Sequence, residues 1–387
     1  MKNIFQIVGW ASFLACSWTW CIGMFLPVIL MRDYGPLSWL MFAVPNVIGA
    51  AGMGYLIKRQ EDSLEIVNRN KLACTTFSIV TILFQIYFLG WISIFTPKNL
   101  TTLICVGLIL LYFLTIKSEG FGAIFVWLFS LLCILSALYF VPLEEFRFFE
   151  FVNLVKDKGA LLSLTPICTF GFLLCPYLDL TFHKVRQSNN HHDSKIIFTL
   201  GFAVMFLVMI LFTFVYSEPF NSIISGLPLV RNNIPDLFVY AILLHIFIQA
   251  GFTSIIHITS LQSIQRNKVI LPALLISAII IYILPKMLNG IHSILDIDLN
   301  EIIYRSFMAF YALIAPSYIF YFIFPKNEKN APLNKHNLII WIAVILLALP
   351  FYAIGFLGIK WHLEFLSLIG LTIILGARKF IKAPSLL

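Results

Sequence analysis

Apolar residues run through this chain in long continuous stretches that recur from end to end. Each stretch is about 20 residues long, the length of α-helix that crosses the hydrocarbon core of a bilayer. The stretches do not alternate polar with apolar positions, as membrane β-barrel strands do, so helices are the spanning elements the pattern allows. The pattern predicts about twelve spans, at residues 4–31, 37–57, 72–95, 100–116, 120–141, 160–182, 196–216, 237–259, 269–288, 302–324, 337–357 and 359–377. Two of the turns between them are tight, at Lys117 and Lys360.

Composition agrees. Of 387 residues, 60% are hydrophobic and 11% charged, with mean hydropathy +0.94, against about 25% charged in soluble domains. Such a chain cannot cover a water-exposed surface. The net charge of +8 does not point to nucleic acid, because no Lys/Arg-rich block interleaved with aromatics is present. Its distribution is informative instead. With both termini cytoplasmic, 17 of the 26 Lys and Arg fall on the inner side, which is the bias of a cell-membrane protein, and an even span count fits. Lys2 precedes a run too long for a cleaved signal peptide, so the first span is read as retained. The seven cysteines lie in apolar runs without a CxxC pair, and read as small core residues rather than zinc or redox ligands. Residues 142–159, with Glu144, Glu145, Arg147 and Glu150, and residues 217–236 form two long outer loops, the second read as a short re-entrant or surface helix.

The most informative signal is internal. The first span contains Trp20-Cys21-Ile22-Gly23-Met24-Phe25-Leu26-Pro27, and the sixth contains Thr169-Phe170-Gly171-Phe172-Leu173-Leu174-Cys175-Pro176. Each places Gly and then Pro in mid-membrane, where glycine loosens a helix and proline removes a backbone donor. Interrupted helices at equivalent positions of two halves point to the binding site of a secondary transporter, although Gly and Pro are common in membrane helices anyway. An offset of five spans inverts the second half relative to the first. The expected architecture is therefore an all-α integral membrane protein with a five-plus-five inverted repeat and discontinuous helices 1 and 6. Residues 1–325 form the core, with halves at about 1–141 and 160–325; residues 326–387 add two C-terminal helices. A small-molecule solute, partly apolar or cationic, is expected near Trp18, Thr19, Trp20, Phe170 and Gly171.

The eighth span carries Ala250-Gly251-Phe252-Thr253-Ser254. Thr253 and Ser254 offer two hydroxyl oxygens at membrane depth, suited to a monovalent cation, although such hydroxyls more often bond their own helix backbone. This stretch resembles the sodium-site segment of neurotransmitter:sodium symporters of the bacterial leucine-transporter fold, within the amino acid–polyamine–organocation superfamily. Ser17-Trp18-Thr19-Trp20-Cys21 with Pro27, and Phe170-Gly171 with Pro176, His183, Lys184 and Arg186, resemble the solute:sodium symporter family more closely. The resemblance implies a sodium ion held by the carbonyls of Ala15, Trp18 and Ala250 and the hydroxyls of Thr253 and Ser254.

Asp179 is an acidic group at membrane depth, where ionisable residues mark function by default. It can relay a proton, pair with His183, gate the inner side, or contact Lys184 and water. His257 titrates near neutral pH when free, yet a lone membrane histidine is commonly just hydrogen-bonded to a neighbour; the same holds for His245. The leading expectation is a sodium-coupled symporter working by alternating access, not an enzyme. The alternatives are a membrane-embedded transferase using Asp179 with His183 or the Glu144/Glu145 loop, a lipid-linked sugar flippase of parallel six-span halves, or a sensor with a transporter fold. No HExxH, nucleophile elbow or phosphate-binding loop is present.

Overall fold

The computed structural model describes residues 3–140, 156–224, 236–264, 270–291, 297–324, 333–358 and 362–382. Among these the chain is helical without a β-strand. Nine helices are long and apolar enough to cross a membrane, and a bent pair makes up a tenth such span. Of the other two predicted spans, 269–288 matches helix Ile270–Leu288, while 359–377 holds the shorter helix Leu366–Ala377, and the turn at Lys360 lies outside the described residues. The chain is thus an all-α, multi-pass membrane protein. The loops at 142–155 and 225–235, with Glu144, Glu145, Arg147 and Glu150, lie outside the described residues.

The first predicted span is two helices, α1 (Ile4–Trp18) and α2 (Cys21–Tyr34), inclined at 53°. The break sits at Thr19–Trp20, one turn before the Gly23–Pro27 segment expected to cause it; Pro27 lies inside α2. Side chains explain the displacement. The Thr19 hydroxyl and backbone N–H both donate to the Ala15 carbonyl (2.8 and 3.0 Å), and the Trp20 indole N–H donates to the Ser17 carbonyl. The indole takes the Ser17 carbonyl that the Cys21 N–H would reach in a continuing helix, and the Cys21 N–H donates to Gln85 Oε1 instead (3.3 Å), which ends α1.

Helices α3 (Ser38–Leu56) and α5 (Lys71–Ile92) follow, with the short amphipathic α4 (Gln60–Arg69) between them. The Arg59 side chain holds the Asp62 carboxyl below the usual carboxylate range at the start of α4. Helices α6 (Lys98–Lys117) and α7 (Glu119–Phe140) are separated by Ser118 alone, so the tight turn at Lys117 is real.

The sixth span is α8 (Lys158–Leu174), a 3₁₀ turn (Cys175–Leu178), extended Asp179, and α9 (Leu180–Ser188). Pro176 stands at the start of the 3₁₀ turn, where its missing N–H does least harm. The chain continues through α10 (His191–Thr199) and a π-turn (Leu200–Phe206) into α11 (Leu207–Ile224), then α12 (Asp236–Ile264) and α13 (Ile270–Leu288). Helix α14 (Leu299–Ala309) passes through a π-turn (Phe310–Ile314) into α15 (Ala315–Phe322), and α16 (Lys335–Leu357) packs on α17 (Leu366–Ala377).

The broken helices are central. Helix α1 packs on α7 and α10, α2 on α11, α8 on α3 and α15, and α12 lies against α5, α6 and α7. Outward faces of α6 (Leu103, Ile109, Phe113), α13 (Ile276, Ile280) and α16 (Leu346, Leu347) expose large apolar side chains, as a lipid-facing surface requires.

Candidate functional site

The two breaks meet. Trp18, ending α1, packs on Phe182 in the first turn of α9, with ring centroids 4.9 Å apart. Trp20 packs on Trp18 (4.4 Å), on Tyr311 of the second π-turn (5.2 Å) and on His257 of α12 (5.9 Å). A narrow cavity between the breaks is lined by Trp18, Trp20, Gly23, Asn46, Cys175 and Tyr311, with Ile22 and Phe172 completing it. Its floor is aromatic. Among the lining residues, Asn46 accepts the Trp18 indole N–H, and the Tyr311 hydroxyl is paired with Thr81 at 3.0 Å.

Of the residues expected to bind solute, Trp18 and Trp20 line this cavity. Gly171 lies one layer away, against the Tyr311 backbone, and lines a second, apolar cavity with Leu26 and Leu30. Phe170 packs on Phe320 instead, with centroids 5.7 Å apart. Thr19 turns its hydroxyl to Ala15 and to the Met209 sulfur. Asn46, Phe172, Cys175 and Tyr311 were not singled out by sequence. A lone amide following Pro45 in an apolar run was a usable signal for Asn46; Tyr311 offered none.

Of the residues of the expected cation site, Thr253 reaches α1, at the Cys16 carbonyl rather than at those of Ala15 or Trp18. The Thr253 hydroxyl, fully buried, shares its one proton between the Cys16 carbonyl of α1 and the Gln249 carbonyl of its own helix, each at 3.0 Å. Ser254 donates to Ala250 at 2.8 Å, the local backbone bond that was the competing reading. The Ala15 carbonyl is occupied by Thr19. A set of carbonyls and hydroxyls without a carboxylate has the weak field that suits a monovalent cation, and each hydroxyl oxygen retains lone pairs for one.

Asp179 begins α9. Its Oδ1 accepts the Thr181 N–H (2.8 Å) and hydroxyl (2.7 Å), an N-cap. Its Oδ2 faces His257 Nε2 at 3.9 Å. The expected partner, His183, is engaged elsewhere: its ring meets Ser63 Oγ (2.8 Å) and the Tyr177 carbonyl (3.0 Å). The Asp179–His183 pair that a transferase would use is therefore not formed. His245 is buried beside Phe212, their rings 5.3 Å apart.

Polar contacts tie the half-helices at both ends. At one end Arg32 of α2 makes a two-pronged bond to Glu301 of α14, and buried Arg305 joins Glu301 (2.9 Å) and Asp33. At the other, Lys184 of α9 pairs with Glu119 (2.5 Å), and Arg186 donates to the carbonyls of Ile57 (2.6 Å), Lys58 and Asn189. Compared with known proteins, the chain matches no family model, no curated protein and no solved structure.

Proposed function

We propose that this protein is a secondary carrier that moves a small solute across the cell membrane by alternating access, driven by a cation gradient. The observation that carries this reading is the meeting of two discontinuous helices, broken at Thr19–Trp20 and at Cys175–Asp179, around one cavity. Broken helices expose main-chain atoms at membrane depth only where they line a cavity.

The packing supports the inverted repeat. Exchanging each of the first ten spans with the one five places away turns the contact of α1 with α7 into that of α8 with α15. It turns α3 with α8 into α10 with α1, and α6 with α12 into α13 with α5. The contacts of α3 with α10 and of α5 with α12 map onto themselves. Twelve spans, with α16 and α17 outside the repeat, accommodate this arrangement. A parallel repeat of six has no such correspondence between the two breaks.

Sodium is the expected co-substrate, held among Ala15, Trp18, Ala250, Thr253 and Ser254, where it would join α1 to α12. The contacts of Arg32 with Glu301 and of Lys184 with Glu119 would open in turn as the two ends alternate. Uptake of radiolabelled solutes into proteoliposomes, with and without an inward sodium gradient, tests the reading. Gradient-stimulated uptake abolished by Thr253→Ala with Ser254→Ala supports it; stimulation unchanged in that variant removes the sodium assignment, and no uptake of any solute removes the carrier.

A further inference from the structure

Two buried polar atoms face each other beside the cavity with no hydrogen bond of their own: Asp179 Oδ2 and His257 Nε2, 3.9 Å apart, in side chains fully shielded from solvent. Such orphans are rare, because each forfeits its solvation. The rest of each side chain explains why these atoms are left over. Asp179 Oδ1 is committed to the cap of α9, and His257 Nδ1 to Ser78 Oγ at 3.3 Å. What remains is one carboxylate oxygen and one imidazole nitrogen aimed at each other across a gap that a small side-chain rotation closes.

We infer that Asp179 and His257 form a proton-binding site, holding one proton between Oδ2 and Nε2 that is taken from water at one side of the membrane and released to water at the other. On binding, an O–H or N–H bond forms and the pair goes from a net charge of −1 to neutral; on release that bond breaks and the charge returns. The other titratable groups facing Asp179 are Cys175 on the break, Cys74 of α5 and Tyr311 of the π-turn. Among the described residues no lysine or arginine lies within ion-pair distance of it.

Position gives the site its coupling. Asp179 is the hinge between the 3₁₀ turn and α9, and His257 touches Trp20 at the start of α2, so one proton joins both breaks and α12. A neutral pair can stay buried. An unpaired carboxylate at membrane depth is costly and favours the arrangement that admits water. Only the claim that the proton drives a carrier rests on the proposed function.

The test is pH-difference infrared spectroscopy of the purified full chain in lipid nanodiscs, recorded without solute. Wild type is expected to show a buried carboxyl change that Asp179→Asn abolishes, and whose midpoint His257→Gln moves by at least about one pH unit, as strongly coupled groups require. Asparagine keeps the cap of α9; should that variant fail to fold, Asp179→Ser, also a capping residue, gives the same comparison. A spectrum unchanged in the Asp179 variant, or a midpoint unmoved by His257→Gln, overturns the site. A titrating pair in a protein that takes up no solute upholds the site and removes the carrier alone. Solute uptake without this carboxyl change removes the site alone.

Discussion

Trp18, the last residue of α1, lies against Phe182, in the first turn of α9, with ring centroids 4.9 Å apart. One ends the first half of the first broken span and the other begins the second half of the sixth. This stack therefore joins the two interruptions directly, and Trp20 extends it to Tyr311 and His257. Rings at this spacing contribute about 0.5–1.5 kcal/mol beyond area burial, so packing holds the breaks together.

The bond from Thr253 to the Cys16 carbonyl links α12 to α1 just before the first break. Thr253→Val keeps the shape and removes the hydroxyl, leaving a buried carbonyl short of a donor at a cost of about 1 kcal/mol. The expected outcome is a folded protein, by thermal unfolding and gel filtration, in which the sodium stimulation of uptake is lost.

Close approach of α3 to α8 depends on Gly49. A Cβ there would stand 2.3 Å from the Phe172 carbonyl oxygen and 2.6 Å from Leu173 Cα, both backbone atoms that cannot swing aside. Gly49→Ala is expected to lower stability by about 1–3 kcal/mol or more through overpacking. Gly52, one turn along, has open space around it. Gly52→Ala should leave the melting temperature unchanged or slightly raised, and the contrast between the two variants is the check.

Glu301 holds two arginines, Arg32 from α2 and Arg305 from its own helix. Among the described residues, Glu301→Ala leaves buried Arg305 with Asp33 alone as an acidic partner. Removing one member of such a cluster costs about 3–5 kcal/mol, here charged against the closed state of that end. Thiol labelling of the cavity from the outer side should become faster without any gradient.

Gly and Pro marked the two apolar runs in which the helix changes, but in the first run Gly23 and Pro27 lie inside unbroken α2, while in the second Pro176 stands in the 3₁₀ turn. The first break lies one turn earlier than the pattern suggested, because the donors on Thr19, Trp20 and Thr253 decide which carbonyls are taken, and such contacts have no periodicity. Asp179 and His257 each stood out as ionisable groups at depth. Their pairing did not, since it depends on the packing of α9 against α12. Tyr311 reaches the cavity through a π-turn, which leaves no mark in sequence.

Cys175 offers the most direct test of the account. It lines the cavity at the second break and is buried, its thiol donating to the Tyr311 carbonyl at 2.9 Å. In a variant retaining Cys175 as its sole cysteine, a membrane-impermeant thiol reagent is applied to vesicles from the inner and the outer face. Alternating access predicts labelling from both faces, with the faster side reversing when the cation gradient is reversed. Labelling confined to one face whatever the gradient, or none from either, would contradict it.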